Sequence, residues 1–237
     1  ALADGESGVH YPASSADADA LIRCLRQFGA VIEEAADGGG AHLRVRGFGA
    51  RPRNPGTVNP GNAGAVLRLL MGVGSLLPEV RFETDFEDSL GQRPQGDLLS
   101  ALEQLGVSCG SREGRLPIAI KGGTLHGGTV TVSGATSSQY LSSLLFLAPL
   151  IGERLQIRVV DGLVSKPLIQ TTLEVLSQAG IELRSSEDLM AFDIAAGQCY
   201  QPGEYTVNGD YPSAAAVLAA AAATNSEISV TRLFEDR

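Results

Sequence analysis

The chain has 237 residues, of which 43% are hydrophobic and 19% charged, enough to bury a large core in one or two domains and too apolar for a disordered chain. Eighteen basic against 27 acidic residues leave a net charge of −9; this argues against a general basic field for nucleic acid, so an anionic ligand has to be held by a few placed groups. No apolar run approaches the roughly 18 residues that span a bilayer, which predicts a soluble protein without a membrane partner.

At the N-terminus, "ALADGESGVH" offers neither a basic n-region nor a cleavable apolar segment, so a cytoplasmic location is expected. Cys24, Cys109 and Cys199 lack paired spacing and read as reduced thiols. His10, His42 and His126 stand at no ligand spacing, so neither a metal nor another cofactor is expected.

Two kinds of segment then alternate along the chain. "ALIRCLRQFGAVIEEAADGGGAHLRVRG" is an amphipathic helix, with Leu21, Cys24, Leu25 and Phe28 on one face, followed by a hairpin. "NAGAVLRLLMGVGSLLPEVRFETD" is a helix apolar on nearly every side, followed by a strand. The first pattern returns in "DLLSALEQLGVSCGSREGRLPIAIKG", the second in "SSQYLSSLLFLAPLIGERLQIRVVD", the first again in "TTLEVLSQAGIELRSSEDLMAFDIAAG" and the second in "PSAAAVLAAAAATNSEISVTRLF".

Two registers give the period. Gly29, Gly106 and Gly180, each placed to end an amphipathic helix, are 77 and 74 residues apart; Asn62, Ser138 and Ser213, which open the apolar helices, are 76 and 75 apart. A unit of about 75 residues is too long for most solenoids and reads as a pseudo-threefold α/β domain. Helices without a polar stripe need burial on every side, so the apolar set is expected to converge at the centre, with sheets and amphipathic helices outside it.

The stretch "GATSSQYLSSLLFLAPL" places Thr136, Ser137, Ser138 and Gln139 where one of these buried helices begins. Unpaired backbone N–H groups and the positive dipole end make such a terminus an anion site, and hydroxyls add donors beside it. Plain N-capping is the alternative, since one Ser or Thr suffices for that.

The motifs "NAGAVLRLL", "DSLGQRPQGDLLSAL", "GATSSQYLSSLLFLAPL", "DGLVSKPLIQTTL" and "GDYPSAAAVLAAAAA", in this order, resemble the 5-enolpyruvylshikimate-3-phosphate synthase family over essentially the whole chain. "SSQY" followed by "SKP" separates it from the sister transferase that acts on UDP-N-acetylglucosamine, which is retained as an alternative together with a non-catalytic binding module on the same scaffold. The resemblance implies enolpyruvyl transfer from phosphoenolpyruvate to the 5-hydroxyl of shikimate 3-phosphate, on the pathway to aromatic amino acids. It implies shikimate 3-phosphate contacts at Ser137, Ser138, Gln139 and Ser165, and phosphoenolpyruvate contacts at Gly64, Arg93 and Gln139. Asn62 would support the turn at Gly64, Lys166 would lie at the surface, and Asp210 would cap the last helix.

The chain departs from the family at Ala65, usually threonine, at Leu69, often proline, and at Leu168, a tyrosine on the shikimate ring; these positions bear on ligand affinity and on the response to glyphosate. The resemblance further implies a three-unit domain over residues 1–208, without its first strand and helix, and the opening of a second domain over 209–237. An early Lys-Ser segment and the later acid-base residues would then lie outside the chain, leaving no catalytic residue within it and no turnover by it alone. A monomer is the expectation for the intact enzyme.

Overall fold

A computed structural model describes residues 1–37 and 40–233; Phe234, Glu235, Asp236 and Arg237, at the end of the expected second-domain segment, lie outside the described residues. Each amphipathic helix is followed by an antiparallel hairpin, as the sequence predicts. Helix α1 (Ala16–Gln27) leads to β2 (Val31–Asp37) and β3 (Gly40–Arg46), α3 (Gly96–Glu103) to β6 (Ser108–Arg112) and β7 (Arg115–Lys121), and α5 (Lys166–Gln178) to β10 (Leu183–Ser185) and β11 (Ala191–Ile194). Gly29, Gly106 and Gly180 end these helices with φ of 106°, 94° and 77°. A side chain at those angles would be strained, which explains their recurrence.

Each hairpin is extended by two further strands into a four-stranded sheet, always in the same order. The middle sheet runs β4 (Thr57–Val58), β5 (Val80–Phe82), β7, β6, and the third runs β8 (Gly128–Gly134), β9 (Leu155–Leu163), β11, β10. In the first sheet β1 (Glu6–His10) takes the place of β5 and β9, and its outer parallel partner is β12 (Glu204–Thr206), from the far end of the domain. The pairing of β12 with β1 closes the ring of three units, the threefold arrangement expected from the spacing.

The apolar helices α2 (Gly64–Gly74) and α4 (Ser138–Ile151) pack on each other at the centre. Leu67, Leu70 and Met71 of α2 and Leu141, Leu144 and Leu145 of α4 are at most 2% exposed; burial of such side chains contributes about 1.5–3 kcal/mol apiece. Polar links register the core: Ser143 Oγ donates to the Arg68 carbonyl at 2.7 Å, and Ser142 and Thr172 join α4 to α5 at 2.8 Å.

The third apolar helix, α6 (Tyr211–Ala223), corrects the expectation that all three converge. Only Ala214 of it is buried, with Val217 and Leu218 each 45% exposed. Its composition calls for burial, but it does not pack on the two central helices as they pack on each other. The strand expected after it is also missing through residue 233, where the backbone finds no sheet to join.

Candidate functional site

Helix α2 begins without a side-chain cap and without an acidic residue in its first turn, so its first N–H groups and positive dipole end are unquenched. Asn62 fixes what faces that end. Its Oδ1 accepts from the Leu90 N–H at 3.2 Å, holding the short 3-10 turn Leu90–Gln92 against the start of α2. Arg93 follows that turn directly. A methyl group built on Gly64 would lie 3.0 Å from Arg93 Nη1 and 3.6 Å from Arg68 Nη1. Glycine here leaves two guanidinium groups directly over the helix end.

Helix α4 begins beside it. Ser137 is the N-cap, its Oγ accepting from the Gln139 N–H at 3.3 Å. Ser138 is therefore not needed for capping; the residue is 3% exposed, and its hydroxyl makes no hydrogen bond among the described residues. Capping of α4 therefore falls to Ser137, which leaves the Ser138 hydroxyl free of that task. Backbone pairing brings in the next loop: Val164 donates to the Gly134 carbonyl at 3.1 Å, which sets Ser165 beside the approach to α4. Ser165, the N-cap residue of α5, adopts φ 53° and ψ 49° and its side chain makes no capping bond, an uncommon conformation for a residue with a side chain.

Arg68 joins the two helix ends. Its Nη1 donates to Gln139 Oε1 at 2.7 Å and to Ser137 Oγ at 3.4 Å, its Nε donates to Gln95 Oε1 at 3.1 Å, and its guanidinium lies 5.2 Å from the centre of the Tyr140 ring. Tyr140 in turn donates to the Pro94 carbonyl at 2.5 Å. Burial pulls the Arg68 pKa down from its ordinary value, and the like charge of Arg93 adds to this against an opposing contribution from Tyr140. Arginine remains a cation under such perturbation. Among the described residues no carboxylate lies at ion-pair distance from Arg68 or Arg93. Two cations above one helix end and beside another, partnered only by neutral groups, are suited to a dianion or to two anions side by side.

The structure therefore brings Gly64, Arg93, Ser137 and Gln139 into one linked constellation, with Ser138 and Ser165 at its margin. Asp210 lies elsewhere, accepting from the Ser213 N–H at 2.8 Å as the cap of α6. Lys166 opens α5 at the surface. Arg68 and Gln95 escaped the sequence reading. A lone cation within "AVLRLLMGVG", a helix otherwise apolar all round, was the available signal for Arg68.

A family model described as EPSP synthase (3-phosphoshikimate 1-carboxyvinyltransferase) matches residues 1–237. A 3-phosphoshikimate 1-carboxyvinyltransferase of Deinococcus radiodurans is 48% identical over 99% of the chain and 52% of its own length. One from Methanosarcina acetivorans is 37% identical over 100% of the chain and 55% of its own length. The chain thus spans about half the length of the curated relatives it matches. Among solved structures, an EPSP synthase from Acinetobacter baumannii superimposes with a TM-score of 0.76 at 23% identity, over 91% of this chain and 47% of that one, which supports the fold.

Proposed function

The chain belongs to the EPSP synthase (3-phosphoshikimate 1-carboxyvinyltransferase) family, and from that premise we propose that it supplies the substrate-holding part of an enzyme that transfers the enolpyruvyl group of phosphoenolpyruvate to shikimate 3-phosphate. The 5-oxygen of shikimate 3-phosphate forms a bond to C2 of phosphoenolpyruvate, the hydroxyl loses its proton and C3 gains one. The resulting tetrahedral adduct then loses a proton from C3 as the C2–O bond to phosphate breaks, releasing phosphate and restoring the double bond.

In this reading Ser137, Ser138, Gln139 and Ser165 hold shikimate 3-phosphate, with its phosphate at the start of α4. Arg93 and the open helix end at Gly64 hold phosphoenolpyruvate, and Gln139 stands between the two. Neighbouring sites suit the reaction, because two bound reactants in attack geometry react as one molecule. Serine hydroxyls, amides and guanidinium groups do not titrate near neutral pH, so these residues bind and orient, and proton transfer falls to other groups. Residues 1–208 form the three-unit domain and 209–237 open a second one. The enzyme acts as a cytoplasmic monomer.

The observation that carries the proposal is the Arg68 guanidinium, which binds Gln139 at the start of α4 while standing with Arg93 over Gly64 at the start of α2. The test is a phosphate-release assay on the protein expressed from its complete gene. Release that requires both shikimate 3-phosphate and phosphoenolpyruvate is expected; no release with both present rejects the reading.

A further inference from the structure

We infer that Gln95 is a positioning residue for phosphoenolpyruvate, a neutral strut that holds Arg68 and Arg93 in register without quenching their charge. This rests on the reading of the site as an enolpyruvyl-transfer site.

Gln95 is fully buried. Its backbone N–H donates to the Gly114 carbonyl at 2.7 Å and its carbonyl accepts from the Leu99 N–H at 3.0 Å, so the residue is fixed at the start of α3. The position is the N-cap of that helix, where Ser, Thr, Asp or Asn would bind a free backbone N–H. Gln95 makes no such capping bond. Its side chain instead accepts from Arg68 Nε at 3.1 Å through Oε1 and donates to the Arg93 carbonyl at 3.1 Å through Nε2. A position suited to a cap is thus given to a longer amide that binds both arginine residues.

The geometry explains what the amide does. Gln139 and Ser137 hold Arg68 through Nη1 alone, and a planar guanidinium held at one nitrogen can rotate about that contact. The second anchor at Nε fixes its plane, so that its donors meet an anion without the entropy loss of ordering a free side chain. The donated bond to the Arg93 carbonyl ties the same amide to the second cation's backbone. An amide is also the right chemistry. A carboxylate of the same length would hold Arg68 Nε as well, but it would form an ion pair there and withdraw positive charge from the ligand.

The experiment compares Gln95→Met, which keeps the volume and removes both bonds, with Gln95→Glu, which keeps an acceptor for Arg68 and adds a negative charge. Steady-state kinetics for both substrates and thermal melting are measured on the protein from its complete gene. Both variants are expected to raise KM for phosphoenolpyruvate about tenfold or more, with kcat within about threefold of the parent and a smaller change in KM for shikimate 3-phosphate. A role confined to packing predicts instead that Gln95→Glu, which still satisfies Arg68, binds phosphoenolpyruvate normally. KM for phosphoenolpyruvate within about twofold of the parent in either folded variant overturns the inference, as does loss of folding in both. A parent protein without turnover overturns the enolpyruvyl-transfer reading itself, whereas an active parent with indifferent variants overturns only the role of Gln95.

Discussion

Arg68 Nη1 lies 2.7 Å from Gln139 Oε1, so the second turn of α2 is bound to the first turn of α4 at the two helix ends that are open to anions. The two proposed ligand positions consequently share the Arg68 side chain.

Ser138 is expected to serve shikimate 3-phosphate. Its hydroxyl is at the helix start and unused in capping. Ser138→Ala should raise KM for shikimate 3-phosphate by about 10- to 100-fold, the equivalent of about 1.5–3 kcal/mol for a hydrogen bond to a charged group. The change in KM for phosphoenolpyruvate should be smaller. Equal effects on both in steady-state kinetics would contradict the assignment.

Arg93 is expected to serve phosphoenolpyruvate through its fork of donors. Arg93→Lys keeps the charge and loses the second parallel bond, so phosphoenolpyruvate use should weaken by about 1–3 kcal/mol in kcat/KM. Unchanged kinetics would remove Arg93 from the site.

Gly64 tests the space above α2. Its φ lies outside the left-handed region, the atom nearest an added methyl is the end of the Arg93 side chain at 3.0 Å, and Arg68 at 3.6 Å is an ordinary contact. Gly64→Ala should therefore fold, with a melting temperature equal to or above the parent because alanine favours a helix by about 0.5–1 kcal/mol. It should nonetheless raise KM for phosphoenolpyruvate as the methyl takes ligand space. A lowered melting temperature with normal KM would show that Gly64 serves packing alone.

Much of this organisation was legible in the chain. Gly29, Gly106 and Gly180 announced the helix ends because few residues other than glycine accept those angles, and "TSSQ" announced a helix terminus because small hydroxyl residues concentrate there. What local patterning does not carry is the identity of the partner. The pairing of β12 with β1 joins Gly8 to Glu204 across nearly the whole chain. The composition of α6 demands burial but does not say against what. The role of Gln95 depends on Arg68 being 3.1 Å away, which no spacing in "QRPQ" encodes.

Alkaline pH should destabilise the fold. Burial pushes the Cys109 thiol from 9.0 up to about 11, helped by the charge of Glu103, and burial also raises Cys24, Tyr140 and Tyr200. Each group holds its proton longer when folded than when unfolded, so the folded state binds more protons and stability falls as pH rises. The contribution of Cys109 is complete below pH 9.0 and is lost as pH passes through about 11. Melting temperature measured against pH should decline from about pH 9 upward; a level profile from pH 8 to 11 would contradict these environments.

A crystal structure of the protein from its complete gene with shikimate 3-phosphate and phosphoenolpyruvate bound would locate both ligands against the two helix ends. The phosphate of shikimate 3-phosphate is expected on Ser137 and Ser138 at the start of α4, phosphoenolpyruvate between Arg93 and Gly64 at the start of α2, and Arg68 between them. Either ligand bound away from these two helix ends, or the two in exchanged positions, would contradict this placement.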